Sequence, residues 1–171
     1  MVAEAAAAAA GASLYAVRQP PDLRWHIPSA EVSPEASSAL AAFVAHVDVA
    51  VAIHGFGRVD HATTLLLGGR HRALAAHLAA HLRTALPGYR VVDDLDRIPR
   101  ALRGVHAANP VNRPAGGGVQ LELPPRVRGL GPFWEGHPRT RGGRPAPHTQ
   151  ALVAALASAA RSWPPGDEDR L

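Results

Sequence analysis

Short apolar segments alternate with helical ones along this chain, and this alternation limits the possible folds more than any other feature of the sequence. The clearest helix spans residues 70–86, where leucine recurs at every fourth position from Leu74 to Leu86 before Pro87 and Gly88 end it. Strands that alternate with helices favour an α/β fold. We expect one three-layer domain whose mostly parallel or mixed central sheet is flanked by helices. The predicted strands cover residues 47–54, 62–69, 89–95 and 119–124.

The rest of the chain predicts four further helices and one more strand. The Ala-rich start, residues 3–10, forms a helix that Gly11 ends. Ser33 and Pro34 are typical of a helix start, and this helix runs to about His46. The other predicted elements are a short strand over 13–17, a short helix over 99–106 and a last amphipathic helix over 149–163.

Length and composition favour a single domain over residues 1–163 followed by a disordered tail over 164–171. The chain has no cysteine, which excludes disulfides, thiolate nucleophiles and Cys-based zinc sites. No apolar run is long enough to span a membrane, and no basic segment precedes the Ala-rich start. The chain as given is therefore expected to be cytoplasmic, with secretion left open if the natural start lies upstream.

All 18 basic residues are arginine, and the net charge is +4. This balance can suit a polyanion, although a GC-rich genome and a solvated surface explain it more simply. Five arginines cluster in a Pro/Gly-rich region and form either a solvated loop or a basic rim: Arg126, Arg128, Arg139, Arg141 and Arg144. Nucleic-acid binding rests on the charge alone, since no recognition motif is present.

His54 stands at the carboxyl end of the predicted strand 47–54, directly before Gly55. Both faces of this strand are apolar, which favours a central strand covered on both sides. Ligands bind at the carboxyl edge of open α/β sheets, and glycine permits close approach to the backbone. His54 is therefore placed either for chemistry, as metal ligand or acid/base, or simply to cap the strand through a hydrogen bond.

The strand 119–124 alternates between an apolar face and a face with Gln120 and Glu122. This pattern fits an ordinary solvent-facing edge strand, and it also fits a carboxylate that projects into a cleft and activates water. Upstream, Asn112 and Arg113 are adjacent in a predicted loop. An amide beside a guanidinium can bind a substrate carboxylate.

Five motifs taken in order are more specific than any one alone: "WHIPS", "AIHGF", "LLLGG", "NPVNRP" and "GGGVQLELPPRVRG". Together they resemble the phage and bacterial poly-gamma-glutamate hydrolase family, which has a zinc-carboxypeptidase-like core. The resemblance covers about residues 3–130. It implies hydrolysis of gamma-glutamyl amide bonds, with an acidic polymer or gamma-glutamyl peptide as partner and zinc as cofactor. It also implies that His54 is a zinc ligand, Glu122 the catalytic general base, and Asn112 and Arg113 the substrate-binding pair.

The resemblance has one serious departure. The family carries two further zinc ligands, a histidine and a glutamate, in a segment that precedes the first helix, and this chain begins inside that helix. One histidine cannot hold zinc with useful affinity, so the chain as given is expected to be N-terminally truncated, incomplete and inactive. Either the natural start lies upstream, or the protein is a metal-free relative that binds acidic polymers without catalysis.

A second histidine pair stands apart from these motifs. His77 and His81 are four residues apart on the predicted helix 70–86, a spacing that can chelate a metal. No glutamate lies between them, and ordinary surface histidines fit the same pattern.

Overall fold

The computed structural model describes residues 2–20, 22–23, 27–129 and 145–164. Over these residues the chain forms the predicted α/β fold, a four-stranded open sheet flanked by helices. None of the helices in this part of the chain has the length and apolarity that a bilayer crossing requires. The helices and strands are α1 (Val2–Ala10), α2 (Ser38–His46), β1 (Ala50–Gly55), β2 (Thr64–Leu67), α3 (Arg72–Ala85), β3 (Arg90–Val92), β4 (Gly118–Leu123) and α4 (Pro147–Ser162).

The sheet is mixed, with the strand order β1-β4-β2-β3. β1 runs parallel to β4 and β2 parallel to β3, while β2 and β4 are antiparallel. The expectation that residues 47–54 form a central strand is wrong for the described sheet, because β1 lies at its edge and Val51 is 37% exposed. Apolar residues on both faces of a strand indicate that both faces are covered, but they do not indicate how many strands pair with it.

One face of the sheet is covered by α1, α3 and α4, and α4 packs against both α1 and α3. The leucine stripe of α3, from Leu74 to Leu86, is at most 3% exposed and points at this face, as its spacing predicts. β4 contributes Val119, Leu121 and Leu123 to the same core. Each fully buried aliphatic side chain contributes about 1.5–3 kcal/mol, so this layer dominates the stability of the fold.

The opposite face carries a smaller apolar cluster, formed by Phe56, Leu66, Val92 and Ile98. The helix predicted over 99–106 is here only the 3-10 turn Arg100–Leu102. The chain cannot continue as a right-handed helix because Gly104 has φ +61°.

Two further sequence predictions are wrong in detail. Residues 13–17 form no strand. The second helix begins at Ser38 and not near Ser33, because the Ser37 hydroxyl accepts a hydrogen bond from the amide of Leu40 (3.2 Å) and so caps the helix. Predicted helix starts shift easily when several serines compete for the capping position.

The glycine pair after β2 lets the chain turn into α3 directly against β4. The amide of Gly68 donates to the carbonyl of Gln120 (2.8 Å), and the amide of His71 donates to that of Gly118 (3.0 Å). Gly69 has φ +85°, and a Cβ there would lie 2.3 Å from the carbonyl oxygen of Gly118. The "LLLGG" motif is therefore needed for β2 and α3 to pack directly against β4, the strand that carries Glu122.

Replacing Gly69 by alanine should destabilise the protein by about 1–3 kcal/mol, because alanine is strained at this φ and its Cβ meets the β4 backbone. Urea unfolding followed by circular dichroism measures the loss. Gly88→Ala is the matched control, since nothing lies within 4 Å of a Cβ at that position. Equal stability of the Gly69→Ala variant and the parent chain would show that this turn does not brace β4.

Candidate active site at the carboxyl edge of β1 and β4

The structure brings His54 and Glu122 together on neighbouring strands. β1 and β4 are parallel, and their register places His54 directly opposite Glu122. Side chains opposite each other in a parallel pair point to the same face, and adjacent strands lie about 4.8 Å apart. Both residues are the penultimate residues of their strands, so they share the carboxyl edge of this pair. The two residues that the sequence singles out therefore meet at one point of the sheet.

Glu122 is a buried carboxylate with an oriented partner. It is 3% exposed, and Nε2 of Gln120 donates a 2.8 Å hydrogen bond to its Oε1. Oε1 of Gln120 in turn accepts a 2.7 Å hydrogen bond from Nδ2 of Asn109. Both amides are 5% exposed, so the chain of hydrogen bonds from Asn109 to Glu122 runs through the protein interior. This row, which we call the buried amide row, fixes the orientation of the carboxylate.

Asn109 is a site residue that the sequence reasoning missed. Its Oδ1 accepts a hydrogen bond from the amide of Val111 (3.2 Å), so the side chain both caps the turn Pro110–Asn112 and holds Gln120. The Asn-Pro pair was a readable turn signal. The contact of Asn109 with Gln120 could not be predicted from the sequence, since it depends on the loop folding back over β4.

Arg128 places a positive charge at the same edge. A Cβ on Gly55 would lie 2.5 Å from Nη1 of Arg128 and 2.6 Å from its Cζ, so the guanidinium occupies the space that glycine leaves. Among the described residues, its buried Nε has no hydrogen-bond partner. Burial lowers the pKa of Arg128, and the charge of Glu122 opposes that shift. Gly55 thus permits a close approach, as predicted, and the group that approaches is the protein's own arginine.

Asn112 and Arg113 lie elsewhere. Nδ2 of Asn112 donates to the carbonyls of Gly104 (2.7 Å) and His106 (3.0 Å), and its Oδ1 accepts from the amide of Arg70 (3.1 Å). Arg113 forms a surface ion pair with Glu35 at 2.6 Å. These contacts brace loops, and a substrate-binding role for the pair stays a prediction.

The position of the turn Pro110–Asn112 explains why Asn112 and Arg113 lie away from Glu122. A Cβ on Gly118, the first residue of β4, would lie 2.5 Å from the carbonyl oxygen of Val111, so the turn Pro110–Asn112 packs at the amino end of β4. Glu122 lies four residues further along, which corresponds to about 13 Å of strand. The structure therefore does not bring Asn112 and Arg113 to the carboxyl edge where Glu122 lies.

The described residues do not complete a metal centre. Catalytic zinc takes three protein ligands, and His54 with Glu122 supplies at most two. No group of three His, Cys, Asp or Glu side chains is close enough to hold a metal within the ranges that the structure describes. These residues therefore do not by themselves fit a zinc site.

Some of the predicted features fall outside the described residues. These are Arg139, Arg141 and Arg144 of the basic cluster, the residues of the tail beyond position 164, and part of the "WHIPS" motif. Of the basic cluster, Arg126 and Arg128 are the first and last residues of the 3-10 turn that follows β4, and Arg126 is exposed.

Comparison with known proteins agrees with the sequence resemblance. The family model described as "Poly-gamma-glutamate hydrolase" matches residues 1–155. The structure described as "Structure of Bacteriophage poly-gamma-glutamate hydrolase" aligns with a TM-score of 0.70 at 22% identity, over 92% of this chain and 73% of that one. The structure described as "YNDL-apo (Zinc-free)" aligns with a TM-score of 0.59 at 21% identity, over 80% of this chain and 63% of that one. A comparison with curated proteins gives no match.

These two structural likenesses, both below 25% identity, establish the fold. The family assignment rests on the sequence model, which covers most of the 171 residues. By that match, the chain belongs to the poly-gamma-glutamate hydrolase family.

Proposed function

We propose that the carboxyl edge of β1 and β4 serves the hydrolysis of gamma-glutamyl amide bonds, with Glu122 as general base. The observation that carries the proposal is the register of His54 opposite Glu122, in a chain that belongs to this hydrolase family. The carboxylate is buried and oriented by Gln120, as a proton acceptor must be if it is to act on one particular water molecule.

The chemistry assigned to Glu122 is proton transfer in two directions. Its carboxylate accepts a proton from a water molecule while the water oxygen bonds to the amide carbonyl carbon. The carboxyl then returns that proton to the amide nitrogen as the C–N bond breaks. The products are a free gamma-carboxyl group and a free amine, and Glu122 is again a carboxylate. The buried amide row holds Oε1 of Glu122 in place during both proton transfers.

Arg128 supplies the positive charge that an acidic substrate needs at this edge. Every residue of a gamma-linked glutamate polymer keeps a free α-carboxylate, and guanidinium groups bind carboxylates by paired hydrogen bonds. The Arg128 side chain is half-buried, and its charge also balances that of buried Glu122. We assign Arg128 to substrate binding beside the general base.

Zinc is the cofactor that the family resemblance implies, and His54 is the ligand that it assigns. Because the described residues supply fewer than three ligands, no step of this proposal runs through a metal. If turnover depends on zinc, the remaining ligands must come from outside the described residues.

A second candidate function is binding of acidic polymers without catalysis. Two observations favour it: Arg128 lies at the site, and the described residues do not complete a metal centre. It differs from the first candidate in one measurable respect, since it expects polymer binding without turnover in any metal-supplemented buffer.

Glu122→Gln tests the general base. With Zn²⁺ supplied, the substitution should lower kcat for poly-gamma-glutamate by about 10²–10⁴, since the amide cannot accept the proton of water. Polymer binding, measured by calorimetry, should remain. Glu31→Gln, which changes an exposed glutamate, is the control and should keep the parent rate.

The possible outcomes separate the two candidate functions. Parent-like turnover by the Glu122→Gln variant would remove Glu122 from the mechanism. Polymer binding with no turnover by the parent chain would replace the first candidate by the second.

Arg128→Gln tests the assignment of the substrate charge. Loss of a hydrogen bond to a charged group costs about 1.5–3 kcal/mol, so polymer affinity should fall by roughly 10- to 100-fold. Arg126→Gln is the matched control on the same turn, with an exposed side chain, and should weaken binding far less. Urea unfolding of both variants accounts for any instability caused by leaving Glu122 unbalanced. Equal losses in the two variants would indicate a diffuse basic rim and contradict a specific role for Arg128.

A further inference from the structure

A histidine pair lies on the seam between α3 and α4, away from the candidate active site. His77 and His81 are four residues apart on α3, and their ring centroids are 4.9 Å apart. Nε2 of each ring lies 3.2 Å from the same atom, Oγ of Ser162 at the end of α4. Two imidazole nitrogens from one helix therefore converge on a single point of the neighbouring helix.

The surroundings restrict the orientation of both rings. Nε2 of His77 also donates to the carbonyl oxygen of Ala159 (3.0 Å), and its ring packs edge-on against Trp163 with centroids 5.3 Å apart. Both histidines are half-buried. The Ser162 hydroxyl donates to the carbonyl of Ser158 (2.9 Å), which turns its lone pairs toward the imidazoles. Such a pair is pre-oriented, unlike two histidines that rotate freely on a helix surface.

We propose that His77 and His81 form a binding site for a borderline divalent cation of the Cu²⁺, Ni²⁺ and Zn²⁺ class. Imidazole suits these metals, and histidines at i and i+4 lie on the same face of a helix. Metal–nitrogen bonds are roughly 2.0–2.1 Å, so a shared ion requires the two Nε2 atoms within about 4 Å of each other. Both atoms already lie 3.2 Å from the same oxygen, so they are at most twice that distance apart, and side-chain rotations that bring the rings together complete the pair.

When the ion binds, metal–nitrogen bonds replace hydrogen bonds of the two imidazoles, and rings that are neutral stay neutral. Each Nε2 must present a lone pair, so its proton shifts to Nδ1. The bond from His77 to Ala159 is then replaced by a bond to the ion. Ser162 Oγ, whose proton already points at Ser158, is the nearest further donor, and water fills the remaining positions. The ion would thus link the C-terminal end of α4 to α3.

This site is separate from the candidate active site. α3 and α4 cover the face of the sheet onto which Val119 and Leu121 of β4 point, whereas Glu122 alternates with them and points to the other face. The proposal therefore does not depend on the hydrolase function, and its test reads metal binding rather than turnover.

Calorimetric titration of the full chain with Cu²⁺ tests the site. We expect one saturable equivalent whose affinity falls at least about tenfold in His77→Gln and in His81→Gln, because each variant leaves a single imidazole. His46→Gln removes an exposed histidine from another helix, and His54→Gln removes the one at the sheet edge. Both should leave this affinity unchanged. Cu²⁺ should also quench the fluorescence of Trp163, and Trp163→Phe should remove that quenching while the binding remains.

Each other result overturns the proposal. Loss of binding in His54→Gln, with parent-like binding in the His77 and His81 variants, would place the ion at the sheet edge. Parent-like binding in all four variants would indicate adventitious binding elsewhere, and an undetectable heat with unquenched Trp163 would exclude a site. Thermal unfolding of the His77 and His81 variants without metal verifies that they are folded, since glutamine can still donate to Ser162.

Discussion

The parallel pairing of β1 with β4 is the constraint on which the rest of the site depends. Its register fixes His54 opposite Glu122, and a slip of one residue would send Glu122 into the leucine layer instead. That register is held from both sides of β4. The leucines of α3 require its apolar residues on one face, and the turn after β2 binds its backbone, with the amide of Gly68 donating to Gln120 and that of His71 to Gly118.

The buried amide row shows what it costs to place a carboxylate in this position. A buried charge without partners is strongly unfavourable, and even a buried amide needs its hydrogen bonds satisfied. The row meets this requirement because Asn109 donates to Gln120, and Gln120 donates to the carboxylate of Glu122. Gly104 makes the row possible, since a Cβ there would lie 2.6 Å from Oε1 of Gln120. The irregular loop that replaces the predicted helix 99–106 is therefore part of the site.

Much of the fold could be predicted because hydrophobic spacing is a local property. The leucines of α3 face the core, as their four-residue spacing predicts. In β4, the alternation of residues places Glu122 on the opposite face from its leucine neighbours. The strand order could not be predicted, since burial of both faces does not tell an edge strand from a central one. Asn112 shows the same limit for sites: an Asn-Arg pair that could bind a carboxylate has the same sequence as one that braces a loop.

Arg128 and the His77–His81 pair were visible in the sequence but could be interpreted only after folding. Arg128 is one of several arginines in a Pro/Gly-rich region, and what distinguishes it is the space above Gly55, which is distant in sequence. The histidines gain their convergence from Ser162, some eighty residues away along the chain. In both cases the meaning of a polar side chain depends on a small partner, glycine or serine, supplied by another element. Helix and strand patterns are set by neighbours along the chain, whereas sites are set by neighbours in space, which explains why the fold was easier to predict than the chemistry.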